Sequence, residues 1–94
     1  MKNIFEVTKN KNIKTLAIDE KNFIGIACLD KNTINVIFST HSDGTEHLSL
    51  SIIGRKITEK EISFVKNLFF SEDENTVFKP GFLPNIVHLP RKPC

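Results

Sequence analysis

Several features that define common protein classes are scarce in this 94-residue sequence. Its two cysteines, Cys28 within an apolar run and Cys94 at the last position, are not expected to form the disulfide framework of a small secreted protein. No apolar run approaches the roughly 20 residues of a membrane-spanning helix. Charged residues interrupt the apolar positions of residues 1–20, which argues against a signal peptide. We therefore expect a reduced, cytoplasmic protein.

Motifs of the common enzyme classes are also missing. There is no GxSxG elbow, and the four glycines stand singly, so no glycine-rich phosphate loop is present. The spacing of His41, His47 and His88 fits no zinc motif. Cys28 lies in an apolar run, where we expect a buried and inert thiol. Because nothing supplies a nucleophile, a base and a stabilising group together, the sequence predicts no enzyme activity, no metal and no cofactor.

The charge balance is close to neutral. Thirteen basic and eleven acidic residues give a formal charge of +2, and both signs are scattered along the chain. A general nucleic-acid-binding protein usually has a denser basic stripe. The hydrophobic content of 39%, which includes eight phenylalanines, is enough for one small core. We therefore expect a single domain over residues 1–94.

Residues 1–55 alternate apolar and polar positions, which predicts an antiparallel β-meander. The predicted strands are Ile4–Val7, Ile13–Ile18, Phe23–Leu29, Thr33–Ser39 and Glu46–Ile53. Turn-forming residues separate them, including an Asp-Gly pair at the end of His41–Gly44 that suits a tight two-residue hairpin connection. Gly25 within the third strand is expected to allow close approach of a neighbouring backbone.

The period becomes helical after Gly54, and a helix is predicted over residues 58–70. Thr58 and Glu61 have the spacing of a capping box, in which each side chain bonds the other's free backbone N–H. An apolar stripe at three- and four-residue spacing is expected to lie on the sheet, and it consists of Ile62, Val65, Leu68 and Phe69. Three polar residues are expected to face solvent, namely Lys60, Glu61 and Lys66.

Two short strands are predicted after the helix, over residues 76–79 and 86–89, followed by a tail over residues 90–94. A Pro/Gly-rich turn joins these strands, and prolines favour sheet edges. The helix is expected to cross the sheet and return the chain beside earlier strands. The predicted fold is α+β: a small, mostly antiparallel sheet, arranged as a meander, with one amphipathic helix packed on one face.

Polar residues on one strand face form the main candidate site. His47, Ser49 and Ser51 alternate with apolar residues, and Arg55 follows at the same end. Imidazole, hydroxyl and guanidinium groups can hold a phosphate or carboxylate through charge-assisted hydrogen bonds. An ordinary solvated sheet face is the alternative. Phe70 and Phe82, off the helical stripe and in the last turn, are candidates for exposed partner anchors.

Residues 45–89 resemble a family of small phage-encoded domains of unknown function. Members carry an aromatic-Glu-His-Val-Ser-Val-Ser strand, a Thr-capped helix, and closing Phe-His-Pro-Pro and His-Leu-Trp motifs. The matching residues are Glu46, His47, Ser49, Ser51, Arg55, Thr58, Glu61, Val65, Lys66, Leu68, Phe69, Val77, Phe78, Pro80, His88 and Leu89. This chain departs from the pattern at Thr45, Lys79 and Pro90. The resemblance implies a viral or prophage context.

Three functional classes remain open at this stage. The first is a phage-type, non-catalytic binding protein that inhibits a host anti-phage protein or sequesters a small nucleotide signal. The second is a nucleic-acid accessory module that uses Arg55, Lys56, Lys79, Arg91 and Lys92. The third is a homo-oligomeric interaction protein that assembles through a sheet edge and exposed phenylalanines. The residues predicted to bind a ligand or partner are His47, Ser49, Ser51, Arg55, Lys79, Phe82, Asn85 and His88.

Overall fold

An antiparallel sheet and two helices make up the structure, a computed structural model that describes residues 4–70, 79–80 and 86–91. The elements are α1 (Ile4–Val7), β1 (Ile13–Ile18), β2 (Asn22–Leu29), β3 (Asn32–Thr40), β4 (Glu46–Ser51), α2 (Glu59–Phe69), β5 (Lys79–Pro80) and β6 (Ile86–Arg91). The strand order is β1-β2-β3-β4-β6-β5. This arrangement confirms the predicted α+β fold with its antiparallel meander.

Short turns connect the four strands of the meander. Asp30 and Lys31 join β2 to β3 with φ angles of 51° and 67°, the left-handed conformation of a two-residue hairpin turn. The β3–β4 connection is longer than predicted, because the His41 N–H bonds the Thr45 carbonyl and the Gly44 N–H bonds the His41 carbonyl. Gly44, with φ of 87°, therefore closes a three-residue turn.

The inner face of the sheet carries the hydrophobic core. Its strand residues are Phe23, Ala27, Ile34, Val36, Phe38, Leu48, Leu50 and Leu89, all buried. Helix α2 lies on this face as predicted: the Phe69 ring is 5.2 Å from both the Phe23 and the Phe38 rings. Aromatic pairs of this kind add about 0.5–1.5 kcal/mol each beyond the burial of their apolar area.

The predicted capping box is present at the start of α2. The Glu61 N–H donates to the Thr58 hydroxyl, and the Thr58 N–H donates to the Glu61 carboxylate. Glu61 does not face solvent, contrary to prediction, because only 3% of the residue is exposed. Arg55, in the loop before α2, forms an ion pair with the buried carboxylate. This ion pair offsets the free-energy cost of burying the Glu61 charge.

The chain returns to the sheet after α2, as predicted. Strand β6 pairs with β4, with Leu48 opposite Leu89, and β5 pairs with β6 at the edge. Pro80 lies in this edge strand, where a missing backbone N–H costs little. Strand β6 continues to Arg91, so residues 90 and 91 belong to the sheet rather than to the predicted tail.

Some of the local predictions are wrong. Ile4–Val7 is a helical turn whose Ile4 and Val7 join the core, because four residues are too few to show a period. Cys28 is exposed, since strand alternation points its neighbour Ala27 inward. Phe70 is fully buried and packs near Phe38, with ring centroids 6.1 Å apart. The predicted strand to Ile53 ends at Ser51.

Gly25 has the close backbone contact expected from the sequence. A Cβ atom at this position would collide with the Lys14 carbonyl oxygen and the Phe23 ring. Glycine thus allows β1 to approach β2 beside the Phe23 ring. Over the ranges given above, no helix has both the length and the apolar character required to cross a membrane.

Candidate functional site

Strand alternation places a second set of side chains on the outer face of the sheet, opposite α2. Along β3 and β4 buried residues alternate with exposed or half-buried ones. Because both helices contribute their buried residues to the inner core, they cannot also cover the outer face. Two halves of this face differ in chemistry, and each half draws on different strands.

The polar half consists of His47, Ser49, Ser51 and His88, on β4 and β6. Ser49 lies opposite His88 in the strand register. The imidazole rings of His47 and His88 stack, with centroids 5.1 Å apart and planes inclined by 27°. All four residues are half-buried. The structure thus brings together four of the residues predicted to bind a partner, on the face that was expected to be uncovered.

Burial affects the two histidines of the polar half in different ways. Burial lowers the pKa of His47, and the neighbouring His88 and His41 lower it further, so the His47 imidazole is neutral at pH 7. The Nδ1 atom of His88 is buried, and the described residues provide no hydrogen-bond partner for it. His47 therefore presents a neutral donor and acceptor rather than positive charge.

Arg55 does not join the polar half. Its Nη1 and Nη2 atoms donate to the two carboxylate oxygens of Glu61, at 2.9 and 2.6 Å. Nη1 also donates to the Lys56 carbonyl at 3.0 Å. This bidentate pair lowers the pKa of Glu61 to about 2, with the hydrogen bonds from Arg55 as the main cause. Arg55 thus anchors the loop before α2 to the first turn of the helix.

Three other predicted site residues lie in the last part of the chain. Lys79 is on β5, where its backbone is opposite His88 in the strand register. Phe82 and Asn85 lie outside the described residues. Strand β5 therefore extends the row formed by Ser49 and His88 to the edge of the sheet.

The apolar half of the outer face was missed by the sequence analysis. We call its members the isoleucine patch, and they are Leu16, Ile24, Ile26 and Ile37, on β1, β2 and β3. Leu16, Ile24 and Ile37 are 62%, 45% and 51% exposed. The sequence does contain a signal for this patch. Strand β2 is apolar at both alternating sets of positions, and the one long helix that is predicted can cover only one face of the sheet.

A cleft of about 390 Å³ lies on the other side of the molecule, at the start of α2. Its lining residues are Leu29, Asp30, Asn32, Arg55, Thr58, Lys60 and Glu61. The charged groups in this cleft are already paired: Lys60 bonds Asp30 at 2.7 Å, and Arg55 bonds Glu61. The cleft therefore serves the attachment of α2, and the outer sheet face is the better candidate for a functional site.

No cluster of three or more His, Cys, Asp or Glu side chains suited to a metal ion occurs in the described ranges. Comparisons with models of known families, with curated proteins and with solved structures find no match to this chain. The proposals below therefore depend on the geometry of the outer face. The resemblance of residues 45–89 to phage domains stays a prediction.

Proposed function

We propose that this chain is a non-catalytic binding protein that docks on another protein through the polar half of its outer sheet face. The observation that carries this proposal is the stacked His47–His88 pair, which lies on the face opposite α2. Half-buried polar groups that lie together on one sheet face suit hydrogen bonding to a partner's backbone and side chains.

A protein partner fits this surface better than a phosphate-bearing signal does. Phosphate recognition depends on charged donors such as arginine. Here the pKa of His47 is lowered, so its imidazole is uncharged at pH 7, and Arg55 is engaged by Glu61. The same features weigh against the nucleic-acid alternative, which needs cations to replace the counterions of the phosphate backbone.

A binding role also suits the surroundings of the two histidines. A histidine acts as a general base when it is hydrogen-bonded to the group it activates. In the described part of the chain, the His47 and His88 rings stack on each other, and the buried Nδ1 atom of His88 has no hydrogen-bond partner. This arrangement supports a surface for recognition.

The phage resemblance supplies the class of partner. Small viral proteins without catalytic machinery commonly act by occupying host proteins, and we propose a component of bacterial anti-phage defence as the target. This places the protein's action in the host cytoplasm. The exposed, free thiol of Cys28 agrees with a reducing compartment.

Affinity capture from a bacterial lysate tests this proposal, with mass spectrometry of captured proteins and of heat-released small molecules. The wild-type chain, a His47→Ala/His88→Ala double variant and a Ser63→Ala control are compared. Ser63 is exposed on α2, away from the outer face. We expect a host protein that wild type and control retain and the double variant loses at least tenfold.

Two results would contradict the proposal. Retention of the same protein by the double variant would remove the polar half from the contact surface. Release of a nucleotide in place of a retained protein would favour the signal-trapping alternative. Circular dichroism of all three chains checks that the double variant keeps its fold.

A further inference from the structure

The isoleucine patch is a continuous apolar surface in the middle of the outer face. Ile24 and Ile37 are opposite each other across β2 and β3, and Ala17 on β1 extends the same row. Each of these three residues is exposed. Adjacent exposed apolar side chains of this kind mark contact surfaces in soluble proteins.

The outer face around this patch carries no formal charge along β2, β3 and β4. Its outward residues are Asn22, Ile24, Ile26, Cys28, Thr33, Asn35, Ile37, Ser39, His47, Ser49 and Ser51. None of them is Asp, Glu, Lys or Arg, although 26% of the chain is charged. On β1, the exposed Lys14 lies opposite Ile26 and is the one charged residue of this face along β1–β4. A face with a single cation offers little to the phosphates of a nucleic acid. Two copies of the uncharged β2–β4 surface can meet without like-charge repulsion.

The sheet edges are poor sites for self-association, which directs contact to the face. The register of β1 shifts between Thr15 and Ala17, and this bulge interrupts the row of free backbone groups on the β1 edge. The opposite edge is β5, which has only two residues and includes Pro80. Among the described residues, an added strand would therefore meet a bulged strand at one edge and a two-residue strand at the other.

The phenylalanines proposed as oligomer contacts are not a continuous exposed surface in the described chain. Phe23, Phe38, Phe69 and Phe70 are all buried in the core. Phe5 is 45% exposed, but it lies on α1 at the inner-face side of the molecule. Of the five exposed large apolar side chains among the described residues, three lie in the isoleucine patch, namely Leu16, Ile24 and Ile37.

We propose that a second copy of this chain covers the isoleucine patch, in a face-to-face dimer whose two-fold axis runs along the strands between Ile24 and Ile37. Strand β2 of each copy then lies over β3 of its partner. The outer surface of β1–β4 measures about 19 Å by 25 Å. A dimer that covers this surface in both copies therefore buries about 1,000 Å² in total. Because this is the lower limit for a specific interface, the dimer dissociates on dilution.

This dimer and the proposed host partner use overlapping surfaces. The dimer covers β1 to β4 and therefore His47, Ser49 and Ser51 on β4, while His88 on β6 lies at the border of the covered surface. The host partner is therefore expected to bind the monomer that dilution releases. The two tests stay distinguishable: alanine at His47 and His88 is scored by capture of a host protein, whereas a charge in the isoleucine patch is scored by self-association of the purified chain.

Sedimentation equilibrium over about 5 to 500 µM protein tests the dimer in a range where weak complexes dissociate measurably. A reductant is included so that the exposed Cys28 thiol does not cross-link copies. The variant Ile37→Lys places a charge in the patch, and Ser63→Lys places the same charge on exposed α2 surface.

We expect the apparent mass of the wild type and of Ser63→Lys to rise toward twice the monomer value with concentration. Ile37→Lys is expected to stay monomeric, with association weakened at least tenfold. If thermal melting shows that Ile37→Lys is misfolded, Ile24→Lys on the neighbouring strand replaces it. A wild-type chain that stays monomeric throughout overturns the proposal and leaves the patch to a different protein. Unchanged association of a folded patch variant also overturns it.

Discussion

The most constrained single residue outside the apolar core is Glu61. Its carboxylate accepts hydrogen bonds from both terminal nitrogens of Arg55, from the Thr58 backbone N–H and from the Thr58 hydroxyl. Replacement by the isosteric Gln keeps the side-chain volume but removes the charge that these donors share. We expect Glu61→Gln to lower the free energy of unfolding at pH 7 by about 2 kcal/mol, measured by urea denaturation.

The pH dependence of this loss identifies its cause. The Glu61 carboxyl has a pKa of about 2 in the folded chain, against an ordinary value of 4.5. Its charge therefore stabilises the fold fully above pH 4.5, and this contribution disappears as the pH falls toward 2. The difference between wild type and Glu61→Gln should shrink over that range. Lys60→Ala is the control, because its ion pair with Asp30 is largely exposed and contributes little.

His47 gives the fold a second pH dependence, of the same sign as that of Glu61 but at higher pH. Its pKa is lowered from 6.5 by burial and by the nearby histidines, so the unfolded chain takes up a proton that the folded chain does not. Stability should consequently fall as the pH is reduced through 6.5, until the folded imidazole is also protonated. We expect His47→Gln to flatten this decline in urea midpoints measured from pH 7.5 down to about 5. Parallel curves for the two chains would show that His47 is not responsible.

At the scale of elements, the β2–β3 turn contains a residue in an unfavourable conformation. Lys31 has φ of 67°, where an L-residue with a side chain is strained by about 1–2 kcal/mol and glycine is not. Glycine also loses more entropy on folding, which offsets part of this gain. We expect Lys31→Gly to stabilise the fold by up to about 1 kcal/mol in thermal or urea unfolding.

A matched lysine provides the control for this turn. Lys21 is in the β1–β2 turn, where Asp19 accepts hydrogen bonds from the Lys21 and Asn22 backbone N–H groups, and its φ is not positive. Lys21→Gly is therefore expected to destabilise the fold slightly. If both glycine variants shift stability in the same direction, backbone strain at Lys31 is not the operating cause.

Elements with a strong local signal were predictable, and those decided by packing were not. The start of α2 was predictable because Thr58 and Glu61 interact within one helical turn. The burial of Glu61 was not, since it requires Arg55 to fold back from the loop. The burial of Phe70 was not predictable either. Phe70 follows α2 in an extended conformation, and its ring enters the core because of how the helix packs on the sheet.

The candidate site was predicted in part for the same reason. Alternation along β4 places His47, Ser49 and Ser51 on one face, which is a local property of a strand. The contact of His47 with His88 depends on β6 pairing beside β4, and nothing local in the sequence specifies that neighbour. The exposure of Ile24 and Ile37 follows from the number of helices available to cover the sheet, which is a property of the whole chain.

At the scale of the molecule, one aromatic cluster joins α2 to the sheet. Phe69 is 2% exposed and stacks on Phe38 while its edge contacts Phe23. Removing its ring leaves a cavity that the sheet cannot fully close. Phe69→Ala should therefore lower the free energy of unfolding by about 3–5 kcal/mol. Small domains have only about 5–15 kcal/mol of stability, and this variant should be marginally folded in thermal denaturation.

Phe5→Ala serves as the comparison, because Phe5 is 45% exposed on α1. We expect Phe5→Ala to lower the free energy of unfolding by less than about 1 kcal/mol, as is usual for substitutions of exposed residues. A similar loss for both variants would show that α1 and α2 contribute equally to closing the core.

The pairing of β4 with β6 has a consequence for how the protein is made. During synthesis, β1 to β4 leave the ribosome as a run of adjacent hairpins, each able to pair with the strand just before it. Leu48 and Leu50 on β4 are fully buried only after α2 has packed on the inner face and β6 has paired with β4. We expect this late, long-range step to set the folding rate, and nascent chains that stop short of β6 to be the ones that chaperones retain.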